Sequence, residues 1–248
     1  MAPRTVDLNA DLGEGGPVDD ELMTVVTSAS VACGFHAGEP ATVLQTLRTA
    51  ARAGVVVGAH PSHADREGFG RRDLEVDPAA VHAGVVYQIG ALDALARAAG
   101  TVVRYVKPHG ALYNRAAWDP DMADALVRAV LDTGARPLLA LAGSRLVSAA
   151  RQAGLDVHEE GFADRAYAAD GTLVPRSEPG AVIESVPAVV EQALALAAGK
   201  GVPAAGGGSP RVTASSICVH GDTPGALALA RTVRAALEDA GVAIRPFA

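Results

Sequence analysis

Lysine is almost missing from this chain. Of its 21 basic side chains only Lys107 and Lys200 are lysines; the rest are arginines. A composition that avoids lysine but keeps one at the end of an apolar strand points to a compact, titratable ammonium at that spot rather than to positive charge in general. Cysteine is as scarce. Cys33 and Cys218 are too few for a disulfide framework or a cysteine-based zinc site, and are expected to be buried thiols near the ends of two strands. The amino-terminal residues, Met-Ala-Pro-Arg-Thr-Val-Asp, contain no apolar signal region, and no apolar span of about 18 residues follows, so a soluble, cytoplasmic protein without a membrane partner is expected. No long run of one charge occurs, and a net charge of −7 with a pI near 5.5 argues against a nucleic-acid partner. Three motifs are also absent. Gly13-Glu14-Gly15-Gly16 lacks the final glycine of a dinucleotide fingerprint, which would fall at Val18. Gly199-Lys200-Gly201 lacks the hydroxyl residue of a phosphate loop, and there is no Gly-x-Ser-x-Gly elbow.

What is present is a repeat of short apolar strands followed by helical patterns. Apolar residues make up 49% of 248, enough for one α/β barrel or at most two small domains. Strands are expected over 5–12, 28–34, 55–60, 102–106, 136–142, 156–162 and 215–220. Helices are expected from Asp19, over 40–52, 78–99, 118–133, from Ser144 to Gly154, over 181–198 and over 224–240. Seven βα units in one domain, residues 1–248, describe an irregular seven-stranded (β/α) barrel. Residues 61–77 form a polar loop of lid-like length, and Asp170-Gly171 marks a hairpin insertion near 164–175.

The carboxyl ends of these strands carry the chemistry. Asn9 and Asp11 end the first strand, His36 follows the second and His60 ends the third. Lys107 and His109 flank Pro108 after the fourth, Glu160 lies in the sixth, and His220 ends the seventh. Ligands bind at this edge in α/β barrels, so six strand ends are expected to converge on one pocket. Any one histidine could be structural, but four at the same end of successive units are not explained that way. An Asp with two or three His from different strands could bind zinc or another divalent ion. The same residues could work without metal as acid and base around a water. Lys107 and Arg165 are candidates for holding an anion or developing oxyanion charge; the plainer reading is a brace against Glu160.

Several blocks together resemble the LamB/YcsF family. They are Asn9–Glu14, Ala32–Gly38, Gly58–Ser62, Gly68–Arg72, Tyr87–Leu92, Lys107–Asn114, Glu160–Arg165 and Val219–Asp222, in order along the whole chain. Two departures are small: Ser30 stands where the family usually has Asn, and Ser62-His63-Ala64-Asp65 replaces Ser-Tyr-Pro-Asp. The resemblance implies a barrel of the glycoside hydrolase/deacetylase type. It also implies opening of the lactam of 5-oxo-L-proline to L-glutamate, coupled to ATP hydrolysis, with subunits B and C of a 5-oxoprolinase complex as partners. With no phosphate loop here, ATP is expected to be handled through those partners. Residues and resemblance together suggest Asp11, Lys107, His109, Glu160 and His220 as catalytic, and His36, His60, Asn114, Arg165 and Asp222 as substrate-binding. By likeness to metal-dependent deacetylases of that fold, Asp11, His60 and His109 would be the metal ligands. Two other classes remain open: a stand-alone metal-dependent carbohydrate or amide deacetylase, and a non-enzymatic subunit that presents substrate.

Overall fold

The computed structural model describes residues 4–221 and 225–248. Asp222, expected to bind substrate, and Pro224, expected to open the last helix, lie outside the described residues. Seven strands pair in parallel and close on themselves: β1 (Thr5–Leu12), β2 (Ser28–Ala32), β3 (Val56–His60), β4 (Val103–Val106), β5 (Leu138–Leu141), β6 (Val157–Phe162) and β7 (Ser216–Cys218). Closure comes from β1, which pairs β2 through Asn9 and Ser28 and β7 through Asn9 and Cys218. A two-residue strand, β8 (Ala243–Ile244), pairs in parallel with the start of β1 at Thr5 and Val6; two residues are too short to show a period in the sequence.

The helices α1 (Asp19–Leu22), α2 (Pro40–Ala53), α3 (Pro78–Ala99), α4 (Gly110–Ala116), α5 (Pro120–Asp132), α6 (Arg145–Gln152), α7 (Val186–Ala197) and α8 (Ala226–Asp239) run between or after the strands. Their ends follow local chemistry. Proline opens α2, α3 and α5, where the missing N–H costs nothing, and Gly54 and Gly100 close α2 and α3 in the left-handed conformation. The side chains of Asp77, Asp119 and Ser144 accept from main-chain N–H groups at the starts of α3, α5 and α6.

Two helices differ from the sequence expectation. Residues 181–183 do not join α7, because they pair with the 164–166 segment: Ala166 donates to the Ala181 carbonyl and Ile183 to that of Asp164. Gly110–Ala116 forms a helix directly after His109, ahead of the helix expected over 118–133. One further correction concerns α3. By length and hydropathy its 22 residues could cross a membrane, contrary to the expectation of no such span. In the fold, Val81, Val85, Ile89, Leu92 and Ala96 pack into the core, and Gln88 hydrogen-bonds the chain at Ser62.

The main apolar core lies between sheet and helices, and the barrel interior is polar. Asp7, Asn9 and Asp11 alternate along β1, so they share a face. Asp7 accepts from Thr27, Ser28 and Ser216, and Asn9 donates to Ser216 at 2.7 Å and to Glu160 at 2.9 Å. Tyr105 crosses the interior to the hydroxyl of Ser30 at 3.0 Å. Gly58 makes this possible: a Cβ there would lie 2.3 Å from the Tyr105 ring. This column is the floor on which the strand ends stand.

Candidate active site

Lys107 extends from the end of β4 into the barrel and is 2% exposed. Its ammonium reaches Glu160 at 2.8 Å, Asp11 at 2.9 Å and the amide oxygen of Asn9 at 3.1 Å. Burial works against its charge, but Asp11 and Glu160 hold the ammonium well above the ordinary lysine value. Burial likewise opposes the charge on Asp11, yet His60 and Lys107 keep that carboxyl well below the usual carboxylate range. Glu160 is fully buried and also accepts from Asn9 at 2.9 Å and from the Tyr113 hydroxyl at 2.8 Å. Every strong donor and acceptor in this group has a partner of the right kind, as buried charge requires.

The histidines above it are arranged differently. His60 Nδ1 lies 2.7 Å from the main-chain carbonyl of Lys107, and His109 Nε2 lies 2.9 Å from that of Phe69. A carbonyl only accepts, so both of these ring nitrogens carry hydrogen. In neutral rings the remaining nitrogens, His60 Nε2 and His109 Nδ1, are then both lone pairs, and they face each other at 2.9 Å. Asp11 Oδ2 stands 3.3 Å from His60 Nε2. Two lone pairs and a carboxylate at these distances require a positive centre among them, either a proton or a metal ion. The three ligand atoms lie within 4.8 Å of one another, and two nitrogens with one carboxylate oxygen form a donor set used for zinc. The residues therefore fit a divalent cation. Burial, then His60 and His36, pushes His109 well below the ordinary imidazole value.

His36 stacks on His109, with ring centroids 3.8 Å apart and planes 3° from parallel. Its Nδ1 meets the Ser62 hydroxyl at 2.9 Å and its Nε2 meets Glu14 at 3.0 Å. The Ser62 hydroxyl also lies 2.9 Å from the His63 carbonyl, so its single hydrogen serves either that carbonyl or Nδ1, while Nε2–H donates to the carboxylate. Burial, then His60, lowers this imidazole to about 3. Residues 61–77 hold these rings in place. Phe69 adopts φ 54, a left-handed backbone unusual for a residue with a side chain, and its carbonyl is the acceptor for His109. At Gly70, φ is +66, and a Cβ would lie 2.8 Å from the His109 ring and 2.9 Å from His36 Cβ.

His220 follows β7 on another wall. Its Nδ1 lies 2.8 Å from Asp164, which also accepts from the His220 main-chain N–H at 3.1 Å. Burial would raise Asp164, but His220 keeps it lowered. With Nδ1 committed, Nε2 is the nitrogen left for a ligand. Arg165 is fixed beside it by the main-chain carbonyls of Ala181 and Val174. The hairpin at 168–172 turns back so that Leu173 pairs Tyr167.

A cavity of about 510 Å³ opens over these groups. Of the residues expected in the site, Asp11, His60, Lys107, His109, Asn114, Arg165 and His220 line it. His36 and Glu160 stand behind that lining, His36 against His109 and Glu160 against Lys107. Glu159, its neighbour in β6, points away and pairs with Arg151 at 2.6 Å. His63 is buried in the loop, and its Nε2 has no hydrogen-bond partner among the described residues. Sequence reasoning missed Glu14, Arg71, Asp164 and Arg176. Glu14, Arg71 and Asp164 stand inside the blocks that carry the family resemblance; Arg176 gave no local signal.

The sequence matches the LamB/YcsF family over residues 6–248. It is 54% identical over 249 residues to a Streptomyces griseus protein named as the A subunit of 5-oxoprolinase, covering 98% of this chain and 100% of the relative. The crystal structure of a lactam utilization protein from Thermus thermophilus superposes with a TM-score of 0.90 at 44% identity, covering 98% of this chain and 100% of the other. A family 4 carbohydrate esterase from Streptomyces lividans superposes with a TM-score of 0.50 at 14% identity, over 98% of this chain and 93% of the other, a likeness of fold alone.

Proposed function

This chain belongs to the LamB/YcsF family, and from that premise we propose that it is the hydrolytic subunit of an ATP-dependent 5-oxoprolinase. Its substrate is 5-oxo-L-proline and its product L-glutamate. Its partners are subunits B and C, through which ATP acts, in the cytoplasm. The names of the close relatives support the reaction class. The observation that carries the reading is the facing pair His60 Nε2 and His109 Nδ1, at 2.9 Å, beside Asp11 and Lys107 on the floor of an open cavity.

The chemistry follows from the substrate. A lactam is a resonance-stabilised amide, and opening it needs a strong nucleophile, a polarised carbonyl and a proton for the departing nitrogen. Phosphoryl transfer to the lactam oxygen, driven by ATP at the partner subunits, makes the ring carbon more electrophilic. Here Asp11, His60 and His109 would hold a divalent cation through one carboxylate oxygen and two ring nitrogens. When bound, such an ion polarises a carbonyl and acidifies water. Without the ion, the lone pairs of His60 Nε2 and His109 Nδ1 would instead share the proton taken from the attacking water, with the Lys107 and Phe69 carbonyls fixing both rings. Lys107 balances charge that develops on the opening carbonyl. His220, oriented by Asp164, delivers a proton to the ring nitrogen as the C–N bond breaks, leaving an acyl phosphate that a second water cleaves to L-glutamate and inorganic phosphate. Asn114 and Arg165 contact the substrate, and the 61–77 loop excludes water as a lid.

The deacetylase alternative shares only the fold. The two separate by assaying glutamate release from 5-oxo-L-proline with and without ATP, and with and without subunits B and C. Release that needs both ATP and the partners is expected. Turnover of acetylated sugars by the isolated chain, with none of 5-oxo-L-proline by the assembly, would overturn the reading.

A further inference from the structure

Glu14 stands in the loop after β1, between Gly13 and Gly15, whose φ values of 74 and 85 are left-handed. A Cβ at Gly13 would lie 2.9 Å from Val31, and the Asp19 carboxylate accepts from the Gly13 N–H at 2.9 Å. The turn is fixed on both counts, and it carries Glu14 to the lining of the cavity with its side chain 11% exposed. Glu14 Oε1 accepts from His36 Nε2–H at 3.0 Å and lies 3.6 Å from His109 Nδ1. One oxygen reaches both rings because they stack, 3.8 Å between centroids and 3° from parallel.

His109 Nδ1 is a lone pair, since Nε2–H goes to the Phe69 carbonyl. Three more acceptor atoms surround it. His60 Nε2 lies 2.9 Å away and Glu14 Oε1 3.6 Å away, and Asp11 Oδ2 stands 3.3 Å from His60 Nε2. A proton shared by the two rings joins two acceptors along one line and does nothing for the two carboxylate oxygens. A divalent ion serves all four. Tetrahedral ligands at about 2.0–2.1 Å from zinc lie about 3.3 Å from one another, and the separations of 2.9, 3.3 and 3.6 Å bracket that edge. Two sets of ligand atoms, Asp11-His60-His109 and Glu14-His36-His109, each lie within 4.8 Å, and they meet at His109. His36 belongs behind the site. A carboxylate has about four acceptor positions, so the hydrogen bond from His36 is compatible with a bond to a cation. Ligating carboxylates are usually held in this way by an outer donor.

We infer that Glu14 is the fourth protein ligand of a divalent cation held with Asp11, His60 and His109, and that His36 positions it for that task. This rests on the three-residue cation site of the function proposed above. Four protein ligands fill a tetrahedral zinc, so a first-row ion with five or six positions, such as Mn²⁺ or Co²⁺, suits a set that also faces an open cavity.

The test is calorimetry and visible absorption on the purified full chain, stripped with a chelator and titrated with Co²⁺. Wild type is compared with three variants, each checked for folding by circular dichroism. Glu14→Gln keeps the size and an acceptor for His36, Glu14→Asp keeps the charge but shortens the reach, and His109→Ala removes a ligand of the three-residue site. Both Glu14 variants should weaken Co²⁺ by at least the about tenfold that follows loss of an outer partner. Glu14→Gln should also shift the Co²⁺ absorption bands, which report the atoms bound to the ion. Unchanged affinity in both Glu14 variants would overturn the inference. So would weaker binding with unchanged bands, because it places Glu14 around the ion and not on it. Absence of Co²⁺ binding by wild type would overturn the three-residue site as well, whereas binding lost in His109→Ala and kept in Glu14→Gln overturns the part of Glu14 alone. None of these readouts uses 5-oxo-L-proline, so a failure of the glutamate-release assay tells separately against the reaction.

Discussion

The inside of the barrel and its carboxyl rim hold the same kinds of side chain in different states of completion. Inside, Lys107 lies between two carboxylates, and Glu160 accepts from Lys107, Asn9 and Tyr113. At the rim, His60 and His109 each donate outward to a carbonyl and turn lone pairs toward each other beside Asp11. The inner group is closed and needs nothing added. The rim group is short of one positive centre. A polar cluster with every valence matched braces a barrel, whereas one with a matched outer edge and an unmatched inner edge is built to receive something. Asp11 belongs to both, which ties the brace to the site.

The sharpest way to break the comparison is to remove the cation of the closed group. Lys107→Met leaves Asp11 and Glu160 buried without their partner, and should destabilise the fold by about 3–5 kcal/mol. Lys107→Arg keeps the charge but changes the donor geometry, so it should cost turnover more than stability. Urea unfolding of both variants checks this; equal midpoints for Lys107→Met and wild type would mean that the inner group is not a brace.

A smaller effect is expected where the loop supports the rim. Gly70→Ala forces a side chain into a left-handed backbone and into the His109 ring, at a cost of about 1–3 kcal/mol from backbone strain. Gly154→Ala has similar backbone strain, with φ +76, but meets nothing within 4 Å. Both should lower the midpoint, and only Gly70→Ala should also slow turnover. Equal turnover in the two variants would show that the loop does not position His109.

The smallest effect is on pH dependence. His36 is lowered from 6.5 to about 3 by burial, then by His60. Between those values the unfolded chain binds a proton that the folded chain does not, so stability falls as pH drops from about 6.5 toward 3. The slope is at most about 1.4 kcal/mol per pH unit for this group. His36→Gln should flatten the curve of unfolding midpoint against pH in that window. An unchanged slope would mean that His36 titrates alike in both states.

These expectations use residues that were unequally legible in the sequence. β1 and α3 were readable at both ends, because Asn9 and Asp11 stand within an apolar alternation and Pro78 and Gly100 bracket a helix. The convergence of Asp11, His60, Lys107, His109 and His220 was legible because a βα repeat puts every strand end on one rim. What the repeat cannot reveal is depth. Glu160 sits in β6 as plausibly as Glu159, yet one points into the barrel and the other to Arg151. Nor can spacing show hydrogen direction: the pairing of His60 with the Lys107 carbonyl spans 47 residues and decides which nitrogen is open. Glu14 and Arg176 were missed for a related reason, since loop residues reach the cavity through backbone paths that no periodicity encodes.

The most direct test of the contrast between closed brace and open rim is to measure two properties of the same two variants. His109→Ala and Glu160→Gln are compared with wild type for urea midpoint as purified chains, and for glutamate release from 5-oxo-L-proline in the complete assembly with ATP. His109→Ala should stay folded and lose turnover by about 10²-fold or more, while Glu160→Gln should lose more stability than His109→Ala does. Wild-type turnover in a well-folded His109→Ala assembly would contradict the account.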